Sequence, residues 1–322
     1  MRGLRSLGLL ALFVGAQLVA LLLALPFKSA GLASTSNPNN PTDPLFLILI
    51  IILAPLVILL LARRAGSMRA LRWLILLGIG GSLTITLGAA IGLVTPPPII
   101  LSPVGPGLFV DLSVPFATAI AVGLFLALLI EPQWYVVDAA GFVAAGSLIA
   151  LLGISFGILP VFILLIALAV YDAVAVYGTK HMISLADVVT DMKLPILMVM
   201  PGSADFDYTR KGTFTEQRAA PVAEREAMFM GLGDVVFPGI LVVSSFVWLP
   251  TSHGVGGIGG NLLVAFGSLL GALLGFSALM RLVGGGNPQA GLPLLNGGVI
   301  GGYIVSFLIV YHSLGLGLTV SL

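Results

Sequence analysis

Cysteine is absent from this chain of 322 residues. That absence excludes disulfides and thiolate metal sites, and it removes any sign of the redox compartment. Charge is nearly as scarce: Asp, Glu, Lys and Arg together make up 8% of the sequence, with a net charge of +1. No basic stripe exists to neutralise phosphates, so nucleic acid is not an expected partner. Histidine occurs only as His181, His253 and His312, without a His-Glu-x-x-His pattern, so neither a metal centre nor another cofactor is expected. What fills the chain instead is apolar. Hydrophobic residues reach 58%, more than the wet surface of a soluble domain tolerates, and the bilayer is the expected solvent.

Runs of about 18 or more apolar residues predict spanning helices. Nine such runs fall near 7–26, 45–62, 73–95, 114–130, 135–153, 158–179, 227–249, 259–280 and 293–316. The expected fold is therefore an all-α polytopic membrane protein. Its six-helix N-terminal part covers 1–179, a polar loop covers 180–226, and a three-helix C-terminal part covers 227–322. Arg2 and Arg5 ahead of the first run resemble the start of a signal peptide, but the apolar core that follows is longer than a signal core and is expected to remain as a span. With these nine spans, every Lys and Arg except Lys28 falls on one face. The excess of basic residues inside then predicts a cytoplasmic N-terminus, a cytoplasmic 180–226 loop and an outer C-terminus.

Within that loop, Ser184 to Asp191 reads as a short amphipathic helix. Ile196, Leu197, Met198, Val199 and Met200 form an extended apolar run between Pro195 and Pro201. In the eighth span Gly267, Gly271 and Gly275 recur every four residues, a spacing that lets helix backbones approach closely.

Two acids stand in apolar helices. Asp172 follows Ala167-Leu168-Ala169-Val170-Tyr171, and Asp234 follows Met228-Phe229-Met230-Gly231-Leu232-Gly233. An ionised carboxylate there costs at least about 2.5 kcal/mol, so each needs a reason to be present. Asp172 lies eight residues before Lys180 and Asp234 eight after Glu226. Counted as helix, both acids sit about 12 Å inside the same face. Antiparallel packing of spans six and seven would then set them level. Two carboxyls in a poorly solvated site hold one proton between them. One removes a proton from water while its protonated partner polarises a carbonyl, which is the chemistry of an aspartyl protease.

The surroundings suit this role. Gly231 and Gly233 clear side chains from beside Asp234. Pro238 brings no N–H to the Asp234 carbonyl, and Tyr171 adjoins Asp172. A proton-coupled transporter or ion pathway would also use paired intramembrane acids, although no internal repeat supports that alternative. Asp138, four residues past Trp134, is expected to reach toward the inner interface.

Tyr171-Asp172, Gly231-Leu232-Gly233-Asp234 and Pro293-Leu294-Leu295 resemble, in order and in span, the three signatures of the presenilin and signal peptide peptidase family of GxGD proteases. The third departs from the usual Pro-Ala-Leu by having Leu294. The orientation is similar to presenilin, and the chain most resembles an archaeal presenilin homologue. The resemblance implies an intramembrane aspartyl endopeptidase with Asp172 and Asp234 catalytic and Pro293 to Leu295 shaping the site. Its substrates would be transmembrane helices in the lipid bilayer, unwound near the cleavage point, and no obligate protein partner is evident. An unwound substrate needs partners for its freed backbone groups, which strand addition supplies. Ile196 to Met200 and the backbone near Leu292 to Leu295 are expected to form or flank that edge.

Overall fold

The structure, a computed structural model, describes residues 2–62, 67–94, 113–179, 196–203, 206–208, 225–283 and 289–318. The apolar runs fold as helices: α1 Arg2–Ser29, α2 Asp43–Ala62, α3 Ser67–Val94, α4 Ser113–Ile130, α5 Trp134–Ser155 and α6 Ile158–Ala173. After α6 comes a π-helical turn, Val174–Thr179, then strands β1 Leu197–Pro201 and β2 Ala227–Gly231, and the helices α7 Leu232–Trp248, α8 Gly260–Val283 and α9 Leu292–Tyr311. Among the described residues six helical stretches are long and apolar enough to cross a membrane: Arg5–Ser29, Trp73–Ile91, Trp134–Ser155, Ile158–Gly178, Gly260–Val283 and Leu292–Tyr311. Three shorter apolar stretches, Asp43–Ala54, Pro115–Ile130 and Leu232–Trp248, fall where the second, fourth and seventh spans were expected. The expected amphipathic helix at Ser184 to Asp191 lies outside the described residues.

Large apolar side chains point outward along these helices, among them Leu22, Phe46, Leu74, Val170 and Leu274. In water such a surface would aggregate, whereas in lipid it is the required exterior. The main core lies between α1, α5, α6, α7, α8 and α9, with Phe13, Ile149, Leu164, Leu241, Ala272 and Val299 at its centre. A second cluster joins α3, α4 and α5 to β1, with Leu83, Leu128, Val137, Val199 and Tyr208 inside it.

The glycine spacing in α8 has the expected consequence. A side chain on Gly271 would collide with the backbone of Gly298 and Gly302, and one on Gly275 with the carbonyl of Leu294. The α8–α9 pair is accordingly the most extensively packed in the fold, and its closeness fixes where α9 begins.

The two strands correct the all-α expectation. β1 and β2 pair antiparallel, with Leu197 opposite Gly231, Val199 opposite Phe229 and Pro201 opposite Ala227. Residues 227–231 are thus strand, and the seventh helix begins only at Leu232. Met228, Phe229 and Met230 form an apolar run that suits either state, and the pairing that decides between them comes from residues about thirty positions away. The sheet is fastened at its far end by α1. There Arg5 Nη1 donates to the carbonyl of Arg225 at 2.5 Å, its guanidinium lying over Gly202.

Candidate active site

Asp172 and Asp234 lie at helix ends, and each is held by the start of a helix. Asp234 is the third residue of α7. Gly231 is the N-cap, with extended φ −63° and ψ 139°, and its N–H donates back to the Asp234 carboxyl. This is the reciprocal half of a capping box, in which an acid at the third position satisfies the N-cap N–H. The first-turn position also lets the α7 dipole favour negative charge. A side chain on Gly231 would come to 3.4 Å from the Asp234 carboxyl, and one on Gly233 to 3.0 Å from the Phe237 ring. Space is thus tight at Gly233, where an added side chain would press on a ring one turn along, whereas at Gly231 it would meet the acid at ordinary contact distance.

Asp172 caps a helix other than its own. It is 6% exposed, near the C-terminal end of α6. Its carboxylate accepts the Leu292 N–H at 3.0 Å and also the Gly291 N–H. Gly291 is the N-cap of α9 and Leu292 its first residue, so Asp172 satisfies N–H groups that α9 itself leaves without partners. Pro293 falls in that first turn, where a missing N–H costs nothing. Residues 289–292 are held further by Tyr177, brought round by the π-helical turn. Its hydroxyl donates to Gln289 Oε1 at 3.0 Å and accepts the Ala290 N–H at 3.2 Å.

The two acids meet at Gly291. Its N–H bonds Asp172, while a Cβ at this residue would lie 3.0 Å from Asp234 Oδ1 and 3.2 Å from Oδ2. The carboxyl groups are also close enough for their charges to act on one another. Gly291 is not among the residues expected from the sequence, although a glycine just before Leu292-Pro293 has the form of a helix start. Tyr177 and Gln289 carry no such signal, because their meeting depends on the π-helical register.

The remaining candidates divide. Tyr171 is half-buried beside Asp172. Pro293 and Leu294 are half-buried and Leu295 fully buried. Ile196 and Leu197 reach the site through the sheet: the Ile196 carbonyl accepts the Leu232 N–H at 2.8 Å, and Leu197 lies opposite Gly231. Met198 and Val199 are buried in the core. Met200 packs against Gly8 of α1, away from the acids. Asp138, expected to reach toward the inner interface, is 6% exposed and bonded to β1. No group of three or more His, Cys, Asp or Glu with metal-binding geometry occurs among the described residues.

Comparison with known proteins bears on what this arrangement does. Residues 10–311 match the family described as signal-peptide peptidase, presenilin aspartyl protease. A solved structure of a presenilin family intramembrane aspartate protease in space group C222 is 29% identical, covering 94% of this chain and 99% of its own, with TM-score 0.65. Another solved structure, described in the same words and in space group P2, is 30% identical, covering 94% of this chain and 97% of its own, with TM-score 0.62. No curated protein matches. A family match over nearly the whole length, together with acids that meet at one glycine, places this chain in the signal-peptide peptidase and presenilin aspartyl protease family, as a multi-pass membrane hydrolase.

Proposed function

We propose that Asp172 and Asp234 are the catalytic pair, hydrolysing peptide bonds in or near transmembrane helices of membrane-protein substrates. The observation that carries this reading is the meeting of both carboxyls at Gly291. One carboxylate takes a proton from water as the oxygen attacks the scissile carbonyl carbon. The other, protonated, donates to the carbonyl oxygen, and the roles exchange as the tetrahedral intermediate collapses. The chemistry calls for water and two carboxyls and for no cofactor.

The helix starts give each acid its place. Gly231 directs Asp234, and Gly291 with Leu292 directs Asp172, so neither carboxyl has to be ordered by the substrate. Tyr171, Gly231, Leu232, Gly233 and the Pro293-Leu294-Leu295 turn shape the space around them. A substrate helix shields its peptide bonds, so it must unwind to be cut, and its freed N–H and C=O groups then need partners. The sheet leading into Asp234 and the start of α9 are suited to hold such an extended segment. Within the Ile196 to Met200 run, Ile196 and Leu197 flank this position.

For the whole chain we propose nine spans, with the three shorter apolar helices crossing alongside the six longer ones. The parts at 1–179 and 227–322 are joined by a cytoplasmic loop at 180–226, with the N-terminus inside and the C-terminus outside. The ion-pathway alternative is not favoured, because the family and the structural relatives are proteases. The test is cleavage of a transmembrane substrate by purified protein in liposomes. Asp172→Asn and Asp234→Asn should each abolish it while the protein stays folded, and undiminished cleavage by either variant would remove that acid from the catalytic pair.

A further inference from the structure

Besides Asp172, one further acid is buried among the described residues, outside the pair. Asp138, in the first turns of α5, is 6% exposed, and its Oδ1 accepts the Val199 N–H at 2.7 Å. A carboxylate taken out of solvent is costly unless it is bonded, so its partner is informative. The partner is the middle residue of β1.

Strand parity shows which side of β1 this bond occupies. Beyond the two ends of the strand, the Ile196 carbonyl accepts the Leu232 N–H at 2.8 Å and the Gly202 N–H donates to the Glu226 carbonyl at 2.7 Å. Even-numbered positions from 196 to 202 therefore turn their backbone groups toward β2, and odd-numbered ones turn away. The outward positions of β1 are Leu197, Val199 and Pro201. Val199 gives its N–H to Asp138, and Pro201 has none to give. A proline on the edge and cover by a neighbouring element are among the devices that close a strand edge against another strand, and here α5 supplies the cover through the acceptor oxygen of Asp138.

We propose that Asp138, together with Pro201, closes the outer edge of β1 and pins the sheet to α5, making Asp138 a positioning residue for catalysis. Its effect runs through the sheet: Val199 lies opposite Phe229, Leu197 lies opposite Gly231, and Gly231 caps the helix that carries Asp234. The closed edge denies an unwound substrate a false docking register on the α5 side. Tyr208, fully buried beside this acid, completes the packing; burial first, and then the Asp138 charge, raises its phenol above the ordinary range.

This inference rests on the protease reading, so its test carries a readout independent of cleavage. The chain has no cysteine, and spin labels at Tyr135→Cys on α5 and Ser203→Cys beyond β1 report the distance between helix and sheet. Asp138→Leu removes the acceptor, whereas Asp138→Asn keeps an oxygen for Val199. With Asp138→Leu the distance distribution should broaden and kcat fall about tenfold, with KM changed far less, the scale expected for a lost hydrogen bond to a charged group. Asp138→Asn should keep the narrow distribution and most of kcat. An unbroadened distribution with full kcat in Asp138→Leu would overturn the proposal, and so would broadening without loss of kcat. If Asp138→Leu does not fold, Asp138→Asn decides alone: a narrow distribution with lost kcat would assign the role to the charge and overturn the edge-closing one. Failure of the catalytic pair would instead show as full activity in Asp172→Asn or Asp234→Asn.

Discussion

The Leu292 N–H donates to the Asp172 carboxylate at 3.0 Å, joining residues 120 positions apart in the chain. Through this bond an acid at the end of α6 caps the start of α9. The turn that leads into Pro293-Leu294-Leu295 thus presents the first N–H groups of a helix to one of the two acids.

Substitution at Gly291 should act on the acids directly. Its φ of −77° and ψ of −46° suit any residue, so an added side chain is resisted only by space, and that space belongs to the Asp234 carboxyl 3.0 Å away. Gly291→Ala should lower kcat with little loss of stability, and Gly291→Val should abolish cleavage. Full activity in Gly291→Val, measured on folded protein, would show that the acids do not need this packing.

Tyr177→Phe removes the hydroxyl that holds Gln289 and Ala290. The net loss is about 1 kcal/mol, enough to lower kcat several-fold if residues 289–292 must stay fixed. Single-turnover cleavage should slow while substrate affinity is retained. A change confined to affinity would assign Tyr177 to substrate contact.

Gly275→Ala sets a methyl group against the carbonyl of Leu294. Backbone cannot yield as a flexible side chain does, so α8 and α9 must separate at a cost of about 1 to 3 kcal/mol. Thermal unfolding in detergent should shift to lower temperature, and cleavage should fall because α9 carries Leu292 and follows directly on Gly291. An unchanged melting temperature would show that the helix pair tolerates greater separation.

The absence of cysteine makes the orientation testable by single-cysteine labelling. Ser252 and Ser203 are both exposed and lie on opposite faces of the proposed topology. Ser252→Cys in intact cells should react with an impermeant maleimide, and Ser203→Cys only after permeabilisation. The reverse pattern would invert the orientation while leaving the proposed catalytic pair untouched.

The helices and their order were legible because transfer into lipid is nearly a sum over local residues: each apolar run declares itself without its neighbours. The cost of a buried acid is equally local, which is why Asp172 and Asp234 stood out. The depth count treated residues 227–231 as helix, whereas they are strand, so the level placement of the acids cannot be derived from equal helical rises. Asp138 shows the same boundary. Its position suggested a side chain reaching toward the inner interface, and only the fold shows that the Val199 N–H donates to it at 2.7 Å.

By itself, then, the sequence determined a bilayer-embedded helical protein with two acids in apolar runs and motifs that resemble those of its family. The tertiary structure decided that β1 and β2 pair, that Gly291 lies between the acids, that Tyr177 holds the start of α9, and that Asp138 faces the sheet. The reason is physical: hydrophobic partitioning is read residue by residue, whereas a hydrogen bond or a steric fit exists only between partners that the fold has brought together.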